Sequence, residues 1–230
     1  MAIKRKIRYS AVKNKTSIKS WHNKLEGVPA FILGNSSALE DENLDLLNPY
    51  FTIGINRAFY KMDTTVLFWQ DIELWYTERK RIMKTNALKV CRNTADPQNR
   101  FFHYKLQTGA FDLPLHPGHL FGSGTTGPLA VQLAYILGCN PIVMLGMDGK
   151  KRGQNTDFYG RNRHHKAHTL HNCRGGLEWI KETFDNMDDR EIINCSKDND
   201  LFEYAPLNKV IESLGSNHCY NRAYWVSKLS

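Results

Sequence analysis

The chain has 230 residues, 41% hydrophobic and 11% aromatic, which is enough to bury a core and excludes a disordered or low-complexity chain. Its formal net charge of +8 is concentrated at the start. Residues 1–26 carry eight Lys or Arg (Lys4, Arg5, Lys6, Arg8, Lys13, Lys15, Lys19, Lys24) against one acid, Glu26, while the remaining residues carry 23 basic and 22 acidic side chains. This basic arm reads either as a solvated terminus or as a contact for an anionic partner, nucleic acid or a membrane surface. No apolar run follows it, as a secretory leader would require. The most apolar stretch, Pro128 to Met147, is broken by Gly138, Asn140 and Pro141, so no membrane span is expected. The five cysteines form no CxxC pair, which suits reduced thiols in a cytoplasmic protein.

Thr16 can cap a short helix in which Ile18, Trp21 and Leu25 share a face, with Gly27 ending it. Residues 28–33 form an apolar strand that stops at Gly34-Asn35-Ser36-Ser37. A helix is predicted over 37–47, with Asp41 and Glu42 early in it. Strands follow over 51–55, ending at Asn56, and over 65–69, ending at Gln70-Asp71. Residues 75–83 read as a helix with a basic face, and 88–91 as a fourth strand. Residues 92–122, with Pro97, Pro114, Pro117 and Gly118, read as irregular. Gly122-Ser123-Gly124-Thr125-Thr126-Gly127 then opens a helix over 128–137, followed by a fully apolar strand, 142–145, that ends at Gly146-Met147-Asp148. A polar, Gly-rich segment covers 149–165, and a helix 168–186, a strand 191–194 and a helix 207–213 complete the pattern.

Alternating helices and continuously apolar strands predict an α/β fold: a Rossmann-like, mostly parallel sheet flanked by helices, with an irregular lid segment. Residues 27–230 read as a single nucleotide-binding domain behind the arm. In such folds ligands bind beyond the carboxyl ends of the strands, where the polar clusters Gly34–Ser37, Asn56, Asp71 and Gly146–Asp148 all fall. The first cluster is neither GxGxxG nor a P-loop, and Asn56 stands where a dinucleotide enzyme carries an acid. Asn35 and Asn56 both donate and accept, which suits a base, ribose or phosphate. Ser123, Thr125 and Thr126 lie at a helix start, where free amides and the dipole attract anions. Among the histidines, His164, His168 and His171 would share a helix face near Cys173; they read as zinc ligands, as an exposed basic face, or as holding one general base. Tyr159 can donate to a leaving phosphate or serve in packing.

The series "AFILGNSSAL", "TIGINRAFY", "TVLFWQD", "SGTTGPLAVQLAYILGCNPIVMLGMD" and "EIINCSKDNDLFEYAPLNKVIESL", in that order, resembles the family of 6-hydroxymethylpterin diphosphokinase-like proteins. It is also similar to the related CMP-sialic-acid-dependent bacterial sialyltransferases. The resemblance implies a single Rossmann-like domain with a lid and no metal. It implies that Gly34, Asn35, Ser36 and Asn56 form the nucleotide turn and contacts, and that Ser123, Thr125 and Thr126 line the donor pocket. The lid then follows Gly146 and Asp148, with Tyr159 and one of His164, His165 or His168 nearest to the family's phosphate-contacting tyrosine and catalytic histidine. The turn here is Gly34-Asn35-Ser36-Ser37, where the family carries a proline.

The expectation is therefore a transferase using an activated nucleotide: a glycosyltransferase moving a sugar from a nucleotide sugar to an acceptor hydroxyl, conceivably on nucleic acid held by residues 1–26. Its catalytic candidates are His165, His168 and Tyr159. The alternative enzyme is an ATP- and Mg²⁺-dependent diphosphokinase acting on a pterin-like alcohol, with Asp71 and Asp148 on the metal. The alternative of another class is a nucleic-acid-binding module using the basic arm.

Overall fold

The computed structural model describes residues 17–108, 116–122, 125–151, 154–160 and 169–230. Its centre is an eight-stranded sheet in which every pairing is parallel. The strands are β1 (Ala30–Leu33), β2 (Phe51–Ile55), β3 (Val66–Trp69), β4 (Leu88–Arg92), β5 (Phe102–Gln107), β6 (His119–Phe121), β7 (Ile142–Leu145) and β8 (Ile192–Asn194). Their order is β6-β5-β4-β3-β2-β1-β7-β8. The chain winds one way from β1 to β6, then returns to lay β7 against the free side of β1. That reversal makes the β1/β7 boundary the switch point, where crossovers leave a crevice beyond the strand ends.

Strands β1, β2, β3 and β7 are buried at every position, which is why β1, β3 and β7 read as unbroken apolar runs and β2 carries a single polar residue, Thr52. One face packs Ala30, Ile32, Ile53, Phe68 and Met144 against helices α2 (Thr126–Ile136) and α3 (Thr169–Phe184). The other face divides. Phe31, Leu33, Val143 and Leu145 meet Leu39, Leu47 and helix α4 (Leu207–Leu214), while Leu67, Trp69 and Cys91 meet helix α1 (Ile72–Ile82).

Two expectations are corrected, and one helix is added. The helix predicted over 37–47 is two 3-10 turns, Ser37–Asp41 and Leu44–Leu47. The Asn43 side chain accepts from Asp45 N at 3.3 Å, a local bond that competes with helical continuation. The stretch read as irregular over 92–122 contains β5 and β6. In β5, Phe102, Tyr104 and Leu106 alternate into the core, a period of two hidden by the polar residues between them. Helix α5 (Arg222–Leu229), unforeseen, buries Trp225 and Leu229 one turn apart. Within the segment expected as a basic arm or helix, Ile18, Trp21 and Leu25 share a buried face: they are at most 2% exposed in the main core, and Trp21 meets Phe102 with ring centroids 4.6 Å apart. Residues 1–16 lie outside the described residues.

Candidate active site

At the switch point the ends of β1 and β7 approach too closely for side chains. Gly34 N donates to Leu145 O at 2.7 Å, and Ser36 N donates to Gly146 O at 3.0 Å. A Cβ on Gly34 would run into the Gly146 carbonyl, whose carbon is 2.6 Å away, and would meet Met147 Cγ at 2.9 Å. Backbone cannot yield as a side-chain tip can, so this position requires glycine. Gly146 itself sits at φ +61°. The turn after β7 is fixed from behind: Met147 N donates to Ser196 Oγ at 3.0 Å, and Asn199 Nδ2 donates to Met147 O at 3.1 Å.

Above this floor lies a cleft of about 610 Å³, its open mouth included. Asn35, Ser36, Asn56, Thr126, Gly146 and Asp148, all expected at a nucleotide site, line it together. The Ser36 hydroxyl donates to the Asp148 carboxylate, joining the end of β1 to that of β7. Asn35 has a different part: its Nδ2 donates to Ile55 O at 3.0 Å, and its Oδ1 accepts from Arg57 N at 3.2 Å. It is 7% exposed and ties the ends of β1 and β2 together. Asn56 adopts φ 50°, a left-handed conformation that asparagine tolerates, and lines both this cleft and a second cavity. Thr126 and Gly127 bring the first turn of α2, with its partnerless helical amides, to the cleft wall. Thr125 precedes that turn and is 7% exposed. Ser123 lies outside the described residues, as do His164, His165 and His168. His171 is exposed on α3.

The second cavity, about 390 Å³, is lined by Asn56, Arg57, Asp71, Glu73, Leu74, Thr77 and Tyr159. Tyr159 therefore belongs to this cavity's wall, with the Arg57 guanidinium 5.1 Å from its ring centroid. Burial pushes the Tyr159 hydroxyl well above its ordinary pKa, Asp157 pushes the same way, and Arg57 opposes them. It is a proton donor at any physiological pH. Arg57 is held in turn: its Nε donates to Glu78 Oε1 at 3.0 Å, and Tyr60 Oη donates to Glu78 Oε2 at 2.9 Å. Burial raises the Glu78 carboxyl, but hydrogen bonds from Arg57, Tyr60 and Arg81 outweigh it and leave its pKa below the usual 4.5.

Asp71 and Asp148, the carboxylates expected under the diphosphokinase alternative, follow β3 and β7, with β2 and β1 between, so their backbones are about 14 Å apart at the usual strand spacing. Ligands of one Mg²⁺ lie about 2 Å from it. Among the described residues, no three His, Cys, Asp or Glu gather as a metal site.

The structure adds residues that the sequence did not single out. Asp157 lines the cleft opposite the strand ends and, like Asp148, is 5% exposed; Thr156 Oγ1 donates to its Oδ2 at 2.9 Å. Its only sequence signal is its place in the Gly-rich segment. Phe158 N donates to Asn35 O at 2.8 Å, docking that segment on β1. Among the described residues, Lys150 is the cation in the cleft lining, and it pairs with Asp200 at 2.7 Å. Cys173 also lines the cleft, but burial, with Asp157 adding to it, pushes its thiol up to about 11, which makes it a poor nucleophile.

Fold and cleft together define an α/β protein with a crevice at the switch point of a parallel sheet. No family model matches the chain, and no curated protein matches it. Among solved structures it is similar to the sialyltransferase CstII from Campylobacter jejuni in complex with a substrate analogue, cytidine-5'-monophosphate. The identity is 16%, the match covers 79% of this chain and 86% of that one, and the TM-score is 0.48. No helix among the described residues is long and apolar enough to cross a membrane.

Proposed function

We propose that this chain is a transferase that binds a nucleotide sugar in the cleft between β1 and β7 and moves the sugar to an acceptor hydroxyl. The observation that carries the reading is the convergence, on one switch-point cleft, of a helix start suited to phosphate and buried carboxylates suited to hydroxyls. The donor phosphate takes the first turn of α2, where amides and helix dipole favour an anion. It stays clear of Asp148 and Asp157, which would repel it. Those carboxylates instead accept from ribose or sugar hydroxyls, and Asn56 reads a polar edge with its free-standing amide.

In transfer, the acceptor oxygen forms a bond to the anomeric carbon as the bond from that carbon to the phosphate oxygen breaks. His165 or His168 takes the acceptor proton. The negative charge on the departing phosphate is met by the α2 amides, by Thr125 and Thr126, with Ser123 just before them, and by Lys150, Arg161 or Arg163. Tyr159, across Asn56 from the cleft, donates from the acceptor side. No step requires a metal.

One observation favours a second reading. Asp148 and Asp157 both line the cleft, so this pair, rather than Asp71 with Asp148, would serve an ATP- and Mg²⁺-dependent diphosphokinase. The experiment that separates the two is a thermal-shift panel of CMP, CDP, UDP, GDP, ADP and ATP, each with Mg²⁺ or EDTA. A ligand that binds the folded state raises its melting temperature by mass action. Stabilisation by a pyrimidine nucleotide in EDTA is the expected result. Stabilisation by ATP alone, and only with Mg²⁺, would move the assignment to the diphosphokinase.

A further inference from the structure

Four large hydrophobic side chains are exposed among the described residues. Two of them, Tyr76 (63% exposed) and Met83, stand seven residues apart on the outer face of α1 and at its C-terminal cap. The same surface carries Arg79, Lys80, Arg81 and Lys84, all exposed. From residue 79 to 95 the chain has six Lys or Arg and no acid, although residues 27–230 as a whole are almost neutral. Basic residues in the last turn complement the helix dipole, but that accounts neither for Lys84 beyond the helix nor for the aromatic exposure.

The cations differ in how they are held. Arg81 is committed inward, paired with Glu78 and stacked 4.8 Å from the Tyr60 centroid. Arg79, Lys80 and Lys84 make no ion pair among the described residues, and the Tyr76 ring meets no other ring or cation there. Tyr76 and Lys80 lie one turn apart on α1, about 6 Å along its axis, and Lys84 follows in the turn just past the helix end. An open π-face beside two unpaired cations is the chemistry that holds a base and the phosphates beside it. The face is narrow and lies on a convex helix, so it fits a flexible single strand better than a rigid duplex. A lipid surface would instead favour a broad apolar face, which α1 spends on Leu74, Trp75 and Ile82 in the core.

We infer that the outer face of α1 is a binding surface for single-stranded nucleic acid, with a base stacked on Tyr76 and phosphates on Arg79, Lys80 and Lys84. This inference is independent of the transfer reaction and of residues 1–16. It also has a geometric consequence. The N-terminal half of α1 supplies Glu73, Leu74 and Thr77 to the second cavity, so a strand along this face leads toward Asn56 and Tyr159.

The test is fluorescence anisotropy of a labelled oligothymidylate with the full-length chain over a range of salt concentrations. The paired substitution Lys80→Gln with Lys84→Gln should weaken binding at least tenfold. It should also make the log–log salt slope shallower by about 1.4, the share of two phosphate contacts on a single strand. Tyr76→Ala should weaken binding by roughly tenfold and leave the slope unchanged. All three positions are exposed, so the variants should melt with the parent, and a melting curve checks this. Three outcomes would overturn the inference: no binding by the parent at low salt, Gln variants with the parent's affinity and slope, or binding to anionic vesicles that the oligonucleotide does not displace.

Discussion

At the residue scale, two asparagines that look equivalent in the sequence divide the work. Asn35 uses its amide on Ile55 O and Arg57 N. Asn35→Ala would leave those backbone groups unmatched in a buried place, at a cost of about 2 kcal/mol in denaturant unfolding. Asn56 spends only its backbone, with N donating to Phe68 O at 3.0 Å. Asn56→Gly keeps the left-handed turn without strain and removes the side-chain amide. It should leave the parent melting temperature nearly unchanged and abolish most of the nucleotide-induced shift. A full shift in Asn56→Gly would remove Asn56 from the ligand contacts.

Glu78 shows the same logic in a charged group. Its side chain is 10% exposed and that of Arg57 16%, so solvent screens the pair little. Glu78→Gln should destabilise the fold by about 2 kcal/mol at neutral pH, because Arg57 keeps its charge in a partly buried place. The sign with pH follows from the direction of the shift. The folded Glu78 carboxyl titrates below 4.5, so its stabilisation is complete above that value and disappears as pH falls through the folded pKa. Parent and variant should therefore converge in stability on acidification below 4.5. A gap that stays constant into that range would mean that Glu78 acts through packing rather than charge. The wider consequence concerns Tyr159, since Glu78 holds the guanidinium that lies against it.

At the element scale, what the sequence reveals depends on how far each element is buried. Strands β2 and β7 are legible to the residue, because both faces are covered and Thr52 is the one polar residue in them. The start of α2 is legible to within two residues, because Thr125 and Thr126 open an apolar helix. Strand β5 is not, since one of its faces is partly exposed and its apolar residues alternate with His103 and Lys105. The 37–47 segment has a helical apolar pattern, yet Asn43 breaks it, and local side-chain bonding of that kind is weakly written in residue periodicity. The cleft is legible along β1, β2 and β7, since those residues follow strands directly. Asp157 escaped because it reaches the cleft from a loop docked across the sheet, a contact that no spacing rule encodes.

At the scale of the whole molecule, the candidate chemistry rests on the most stable part of the sheet. Strands β1, β2 and β7 are covered on both faces and have neighbours on both edges, whereas β6 has one neighbour and only one fully buried residue. Amides in β1, β2 and β7 should thus exchange with solvent only through global unfolding, and those of β6 through local opening at much lower free energy. Native-state hydrogen exchange in rising denaturant checks this. Amides of β1 and β7 should share the global unfolding slope, and those of β6 should show a shallow one. If β6 were as protected as β1, the sheet would have to be covered beyond that edge. A rigid floor under the cleft is what a site built on strand ends needs, because small displacements of Ser36, Asn56 or Asp148 would degrade the geometry they share. We expect the docked 154–160 segment, rather than the strands, to shift when a ligand enters. Its contact with the sheet through Phe158 N and Asn35 O can open without disturbing the strands beneath.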